Sequence, residues 1–175
     1  MMSHTQQHHQ DSLAALVFYN AKINNRLLSL INNGDESTSE YNYRMAEEGL
    51  YCKMNIYSNN FNNIILCYVC GKVYIDKNQN TWNRFCINHL TDGMCWIPKL
   101  LATENILIKQ CFQNWPVIWV SPFSVFECGF KYTGKKDICI CRNGCGASVS
   151  DWPIKISFGS LKALHTTNCA FGLSL

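Results

Sequence analysis

Two of the five histidines stand inside cysteine clusters of one design, and that pattern constrains the fold more than any other feature. The first cluster runs Cys67-x2-Cys70, Trp82, His89, Cys95; the second runs Cys141-x3-Cys145, Trp152, His165, Cys169. Three thiols and an imidazole are the donor set of a structural zinc ion, which takes four N/S ligands tetrahedrally. Two such sets in one chain point to two zinc ions, bound by Cys67, Cys70, His89 and Cys95 and by Cys141, Cys145, His165 and Cys169. The remaining histidines, His4, His8 and His9, lie in a polar N-terminal tail.

The rest of the composition agrees with a metal-stapled fold. A chain of 175 residues divided into two units gives each a limited core, and small cores need a metal or disulfide staple. With 47% hydrophobic and 15% charged residues, the chain reads as globular. Eleven cysteines, an odd count, no apolar h-region near Met1 and CxxC-like pairs favour reduced thiols and metal over disulfides. No apolar run reaches membrane-spanning length, so a soluble intracellular protein is expected. The net charge of +3 comes from scattered basic residues, densest at Lys131, Lys135 and Lys136. Without a basic stripe or a recognition motif, it argues against nucleic acid as a partner. Paired asparagines between Asn20 and Asn63 suggest AT-biased coding, common in large DNA viruses.

Periodicity sketches the elements. Leu13 to Leu30 repeats apolar residues at helical spacing after a cap at Asp11 or Ser12, and Asn33-Gly34-Asp35 ends it. Glu36 to Glu40 reads as a loop and Tyr43 to Leu50 as a short helix. Ile64–Tyr68 and Val73–Ile75 read as strands flanking the first knuckle. In the second half, a short helix begins at Ser121-Pro122, strands run over Asp137–Cys141 and Val149–Trp152, and Leu161–Leu164 is helical. Reuse of helix, knuckle, Trp, His and Cys at an interval of about 75–85 residues implies tandem domains. The expected boundaries are a disordered tail 1–10, a first zinc domain 11–98, a connector 99–108 and a second zinc domain 109–175.

The second half carries a nameable pattern. Phe112-Gln113-Asn114-Trp115-Pro116, Ser121-Pro122, and Cys128-Gly129-Phe130-Lys131-Tyr132-Thr133-Gly134-Lys135-Lys136-Asp137-Ile138 are followed by Cys145-Gly146-Ala147-Ser148-Val149-Ser150-Asp151-Trp152 and His165-Thr166-Thr167-Asn168-Cys169-Ala170-Phe171. In that order they resemble a baculovirus IAP repeat (BIR), over about Phe112–Phe171. The first half is similar more faintly, through Asn25-Arg26-Leu27-Leu28-Ser29-Leu30, Met45-Ala46-Glu47-Glu48-Gly49-Leu50-Tyr51 and Cys67-Tyr68-Val69-Cys70-Gly71. Four spacings depart from the family: the second knuckle is one residue longer, His165-x3-Cys169 is short, and the first unit has His89-x5-Cys95 and a slightly long Cys70–His89 gap. Cys139 is therefore an alternative to Cys141, and Cys86 a competitor at the first site.

The resemblance implies an α+β fold of two small zinc-binding units, each a short three-stranded antiparallel sheet with surrounding helices. It implies a structural Cys3His zinc in each unit, with no open coordination position and hence no catalysis. It also implies a buried Arg26 bonding backbone carbonyls, against the alternative of a solvated one. Trp82 and Trp152 are expected as core aromatics, and Cys128 and Cys139 as core thiols. The implied function is protein recognition: a viral, baculovirus-like modulator of host apoptosis that binds caspases or IAP-pathway proteins, in the host cytoplasm and/or nucleus. The family's peptide groove needs an acidic residue after the Trp to hold an ammonium. None lies between Trp152 and His165, and only Asp76 lies between Cys70 and His89. No further Cys/His array follows Cys169, so no RING is expected. The alternative function is a regulatory zinc protein acting in the host nucleus on transcription or trafficking. Oligomeric state stays open.

Overall fold

The computed structural model describes residues 18–31, 39–53, 64–74 and 79–173. The tail 1–10 with its three histidines, the start of the first expected helix, the Asn33-Gly34-Asp35 stop, Ile75 and Asp76 lie outside the described residues. The chain divides into two compact units between Leu101 and Ala102. Both are α+β, each with one three-stranded antiparallel sheet in sequential strand order. Lys99–Ile108, expected to be a connector, is largely helical and is shared between the units.

In the first unit, α1 (Ile23–Ile31) and α2 (Ser39–Glu47) pack against a sheet of β1 (Leu50–Lys53), β2 (Ile64–Cys67) and β3 (Val73–Tyr74). Helix α2 begins inside the segment expected as a loop, and Leu50 is in a strand rather than at a helix end. A helical turn over 18–21 precedes α1, and the break at Lys22 leaves carbonyls without helical partners. The buried guanidinium of Arg26 fills that gap. Its Nη1 donates to the carbonyl of Asn20 at 2.8 Å and to that of Ala21, while Nε donates to Ala46, in the last turn of α2, at 2.8 Å. One cation thus ties both helices together, and burial lowers its pKa against the opposing pull of Tyr68 and Cys67.

Helix α3 (Gln79–Thr91) places Trp82, Phe85 and His89 on one face by i, i+3, i+7 spacing. Trp82 lies 5.4 Å from Tyr74 and 5.6 Å from Tyr41, and Phe85 lies 5.0 Å from the His89 ring. The imidazole is thereby held by packing before any metal contact. Helix α4 (Ile97–Ala102) follows Cys95.

The second unit begins with α5 (Ile106–Cys111), where the Asn105 side chain caps the Ile108 amide. Helix α6 (Pro122–Glu127) starts with proline, whose missing N–H costs nothing in a first turn. Its sheet is β4 (Phe130–Tyr132), β5 (Cys139–Cys141) and β6 (Ser148–Val149), and α7 (Phe158–Lys162) is capped by Ser157. Fully buried Trp115 is the centre of the core. Its ring meets Phe112, Tyr132 and Trp152 edge-on at 5.2–5.5 Å, and its Nε1 donates to the Val120 carbonyl at 2.8 Å.

The same backbone device recurs in both units. A left-handed glycine (Gly49, φ +82; Gly129, φ +88) precedes the first strand. Its carbonyl accepts from the residue after the first knuckle cysteine: Tyr68 to Gly49 at 2.9 Å, Arg142 to Gly129 at 2.8 Å. The face where a Cβ would stand is filled by the side chain two residues beyond the last cysteine of each cluster, Ile97 on Gly49 and Phe171 on Gly129.

Candidate metal centres

In each unit the middle strand ends on the first cysteine of the cluster, Cys67 on β2 and Cys141 on β5, and a tight turn carries the second. The first turn closes by Cys67 N–H to Lys72 carbonyl at 3.0 Å; the second closes one residue later, by Cys141 N–H to Ala147 carbonyl at 2.9 Å. A left-handed Gly144 (φ +70) takes up the extra residue of the Cys-x3-Cys knuckle, so the turn lengthens without displacing its ends. Helix α3 delivers His89, and the turn after α7 delivers His165. The fourth cysteine of each set follows within a few residues.

The four donor atoms of Cys67, Cys70, His89 and Cys95 lie within 4.8 Å of one another, as do those of Cys141, Cys145, His165 and Cys169. Their spacing tests which bond they are built for. A tetrahedron with Zn–S of about 2.3 Å and Zn–N of about 2.0–2.1 Å has S···S edges near 3.8 Å and S···N edges near 3.5 Å. The Cys67–Cys95 and Cys141–Cys169 sulfurs are 3.8 and 3.7 Å apart. The sulfur–imidazole separations are 3.5 Å for Cys70–His89, 3.4 Å for Cys145–His165 and 3.6 Å for Cys169–His165. A disulfide would need about 2.05 Å. Both clusters fit a zinc ion.

The two imidazoles present different nitrogens. His89 faces its cluster with Nε2, and its buried Nδ1 points toward the Glu48 carboxylate at 3.6 Å, beyond hydrogen-bond length but within ion-pair reach. His165 faces its cluster with Nδ1, while Nε2 donates to the Cys128 carbonyl at 2.8 Å. Each outer partner fixes the ring and leaves the inner nitrogen's lone pair for a metal.

Without metal the donor sets share their protons unevenly. Burial alone would lower the His89 pKa, but contact with the Cys67 and Cys70 thiols and the nearby Glu48 carboxylate outweighs it and raises the ring to about 11. Contacts with Cys67 and Cys95 hold the Cys70 thiol well below its usual range. At the second site the backbone amides of Thr166 and Ala147 and the His165 ring lower Cys145 to about 6. Cys95 is pushed up by its contacts with Cys67 and Cys70, and at Cys169 the Phe171 amide is outweighed by burial and Cys141, which push the thiol up. The protons these ligands carry are what a zinc ion displaces on binding.

The open alternatives resolve on geometry. Cys139 shares the buried face of β5 with Cys141 but lies two residues, about 6.6 Å, up the strand. It is fully buried, and burial pushes its thiol up, so it is a core residue, as is Cys128. Cys86 lies one turn before His89 on α3 and belongs to neither donor set; burial first, then Glu48, raise it to about 11. Trp82 and Trp152 are buried, and the Nε1 of Trp152 donates to the Asp137 carbonyl at 2.8 Å. The sequence reading missed Glu48 and the clamp on Arg142. The Arg142 guanidinium lies between the rings of Phe126 (3.7 Å) and Phe171 (4.6 Å), pinning the longer knuckle. Its position inside the Cys-x3-Cys turn was the only signal.

No described helix is long and apolar enough to cross a membrane. No family model matches the chain, and no solved structure matches it. Over 60 residues, 34% of its length, the chain is 35% identical to the Sus scrofa protein named "Putative inhibitor of apoptosis" and to the Homo sapiens protein named "Baculoviral IAP repeat-containing protein 3". The matched stretch spans only 16% and 10% of those proteins. That similarity, with two Cys3His clusters on repeated three-stranded sheets, is what a BIR-like zinc-binding domain carries.

Proposed function

We propose that this chain is a non-catalytic protein-interaction module of the inhibitor-of-apoptosis kind, held together by two zinc ions. In this reading two tandem BIR-like units, 11–98 and 109–175, are joined across 99–108; the change of unit between Leu101 and Ala102 falls inside that span. The observation that carries the proposal is the pair of Cys3His donor sets at zinc-tetrahedron spacing, in a chain with a stretch 35% identical to apoptosis inhibitors. Asparagine-rich coding supports a viral origin, and the partners are then host caspases or the proteins that regulate them, met in the host cytoplasm or nucleus.

The test is direct binding of the zinc-loaded full chain to purified initiator and effector caspases and to host IAP proteins, by biolayer interferometry. A dissociation constant of about 10 μM or tighter for one of them, about −7 kcal/mol, supports the proposal. Absence of binding to all of them overturns it. An Ala-initiated tetrapeptide should bind equally weakly with its N-terminus free or acetylated, because no carboxylate stands between Trp152 and His165. A desolvated ammonium–carboxylate contact would separate the two forms by at least about tenfold.

A further inference from the structure

The segment after Trp152 does something other than line an ammonium pocket. Trp119 Nε1 donates to the Pro153 carbonyl at 3.1 Å and holds residues 153–156 opposite the start of α6. Between them and α7 lies an open cleft of about 600 Å³, inside the usual range of ligand clefts, about 300–1,000 Å³. Its rim is apolar and wet: Trp119, Ile154 and Phe158 are 50%, 81% and 52% exposed although all three line one cavity. Such side chains cluster where a partner later covers them, with tryptophan prominent among binding anchors. Ser121, Ser124, Ser157 and Ser160 line the same space.

Charge says what the occupant must carry. Among the described residues of the lining Lys155 is the sole charged one, and no carboxylate accompanies it there. Residues 102–175 hold seven lysines and arginines against four carboxylates, whereas residues 1–101 hold eight of each, so the whole net charge of +3 belongs to this unit. A single cation among apolar anchors suits a carboxylate next to a large apolar side chain. It does not suit a nucleic acid, which needs several phosphate contacts along a basic track.

We propose that the cleft bounded by Trp119, Ile154, Lys155 and Phe158 is a docking site for an acidic peptide segment of a partner protein, with an apolar residue seated between Trp119 and Phe158 and a neighbouring carboxylate on Lys155. The proposal rests on the protein-interaction reading and inverts the charge preference of an ammonium-binding groove: occupancy needs no free N-terminus.

A one-bead library of degenerate N-acetylated octapeptides, probed with the fluorescent zinc-loaded full chain, tests it. Bound beads should be enriched at least threefold in Asp or Glu within two positions of Leu, Ile, Phe or Trp. Lys155→Glu, an exposed change, should keep two zinc ions and turn the enrichment toward Lys and Arg; Trp119→Ala should lower bound signal at least fivefold. Selection without acidic residues, selection indifferent to Lys155→Glu, or no selection above blank beads would overturn the site. A single-stranded oligonucleotide competing through Lys155 would overturn the peptide assignment in favour of nucleic acid. The library contains no caspase, so its result is independent of the caspase assay.

Discussion

The carbonyl of Cys128 accepts a hydrogen bond from Nε2 of His165 at 2.8 Å, so this histidine is turned end for end relative to His89, whose outer nitrogen is Nδ1. The short His165-x3-Cys169 interval is compatible with a closed tetrahedron because the nearer ring nitrogen does the reaching. NMR of the zinc-loaded protein with ¹⁵N-labelled histidine should show His165 metal-bound through Nδ1 with a protected Nε2 proton, and His89 with the reverse pattern. Two histidines of the same pattern would contradict this geometry.

Metal analysis should give two zinc ions per chain. Structural zinc contributes roughly 10–16 kcal/mol in small finger peptides, against a net domain stability of about 5–15 kcal/mol. Chelation should therefore unfold the protein, with loss of near-UV ellipticity, and so should acidification, since protons compete for the thiolates. Native ellipticity surviving complete zinc removal would show that packing alone suffices.

The two sites should differ in lability. The first cysteine of each set is buried and the second partly exposed, but the last differs: Cys95 is buried, whereas Cys169 is partly exposed. Under limiting N-ethylmaleimide, mass spectrometry should find Cys169 modified before Cys95, with the first zinc released per chain coming from the second unit. The opposite order would mean that access is governed by opening of the first unit.

Gly129→Ala should destabilise the zinc-loaded protein by about 2–4 kcal/mol, a left-handed backbone cost plus an overpacked neighbour, and Gly49→Ala by less, because the Cδ1 end of Ile97 can turn aside. The new methyl collides with Phe171 in one case and Ile97 in the other. Gly71→Ala, equally left-handed at φ +70 but open around its Cα, isolates the backbone share and should cost about 1 kcal/mol. Urea unfolding of the three variants separates the contributions.

Arg26→Ala strands three buried carbonyls at once, and at about 1.5–3 kcal/mol per hydrogen bond to a charged group the loss should exceed about 3 kcal/mol. Arg26→Lys should recover only part of it, because one ammonium cannot reach both helix ends as the fork of Nε and Nη1 does. Full recovery by lysine, read from the urea midpoint, would mean that charge and not geometry carries the contact.

The eight donors were legible in the sequence because zinc chemistry is written in residue type and local spacing: the knuckles are short turns, and their cysteines can be read without knowing the fold. The α+β class came with the resemblance to a BIR that the motifs around those donors carry. Other features needed tertiary structure. Cys139 and Cys141 share one strand face, and only the end of β5 at the knuckle separates core thiol from ligand. Helix α3 carries polar residues such as Asn80, Asn83 and Asn88 that blur its period, and it became visible through the packing of Trp82, Phe85 and His89 against Tyr74 and Glu48. The partners of Gly49 and Gly129 are 48 and 42 residues away in sequence, so no local pattern could reveal why a side chain is excluded there. Local spacing picked out which residues gather as donors; long-range packing decided which nitrogen each histidine turns inward, because that choice belongs to Glu48 and to the carbonyl of Cys128.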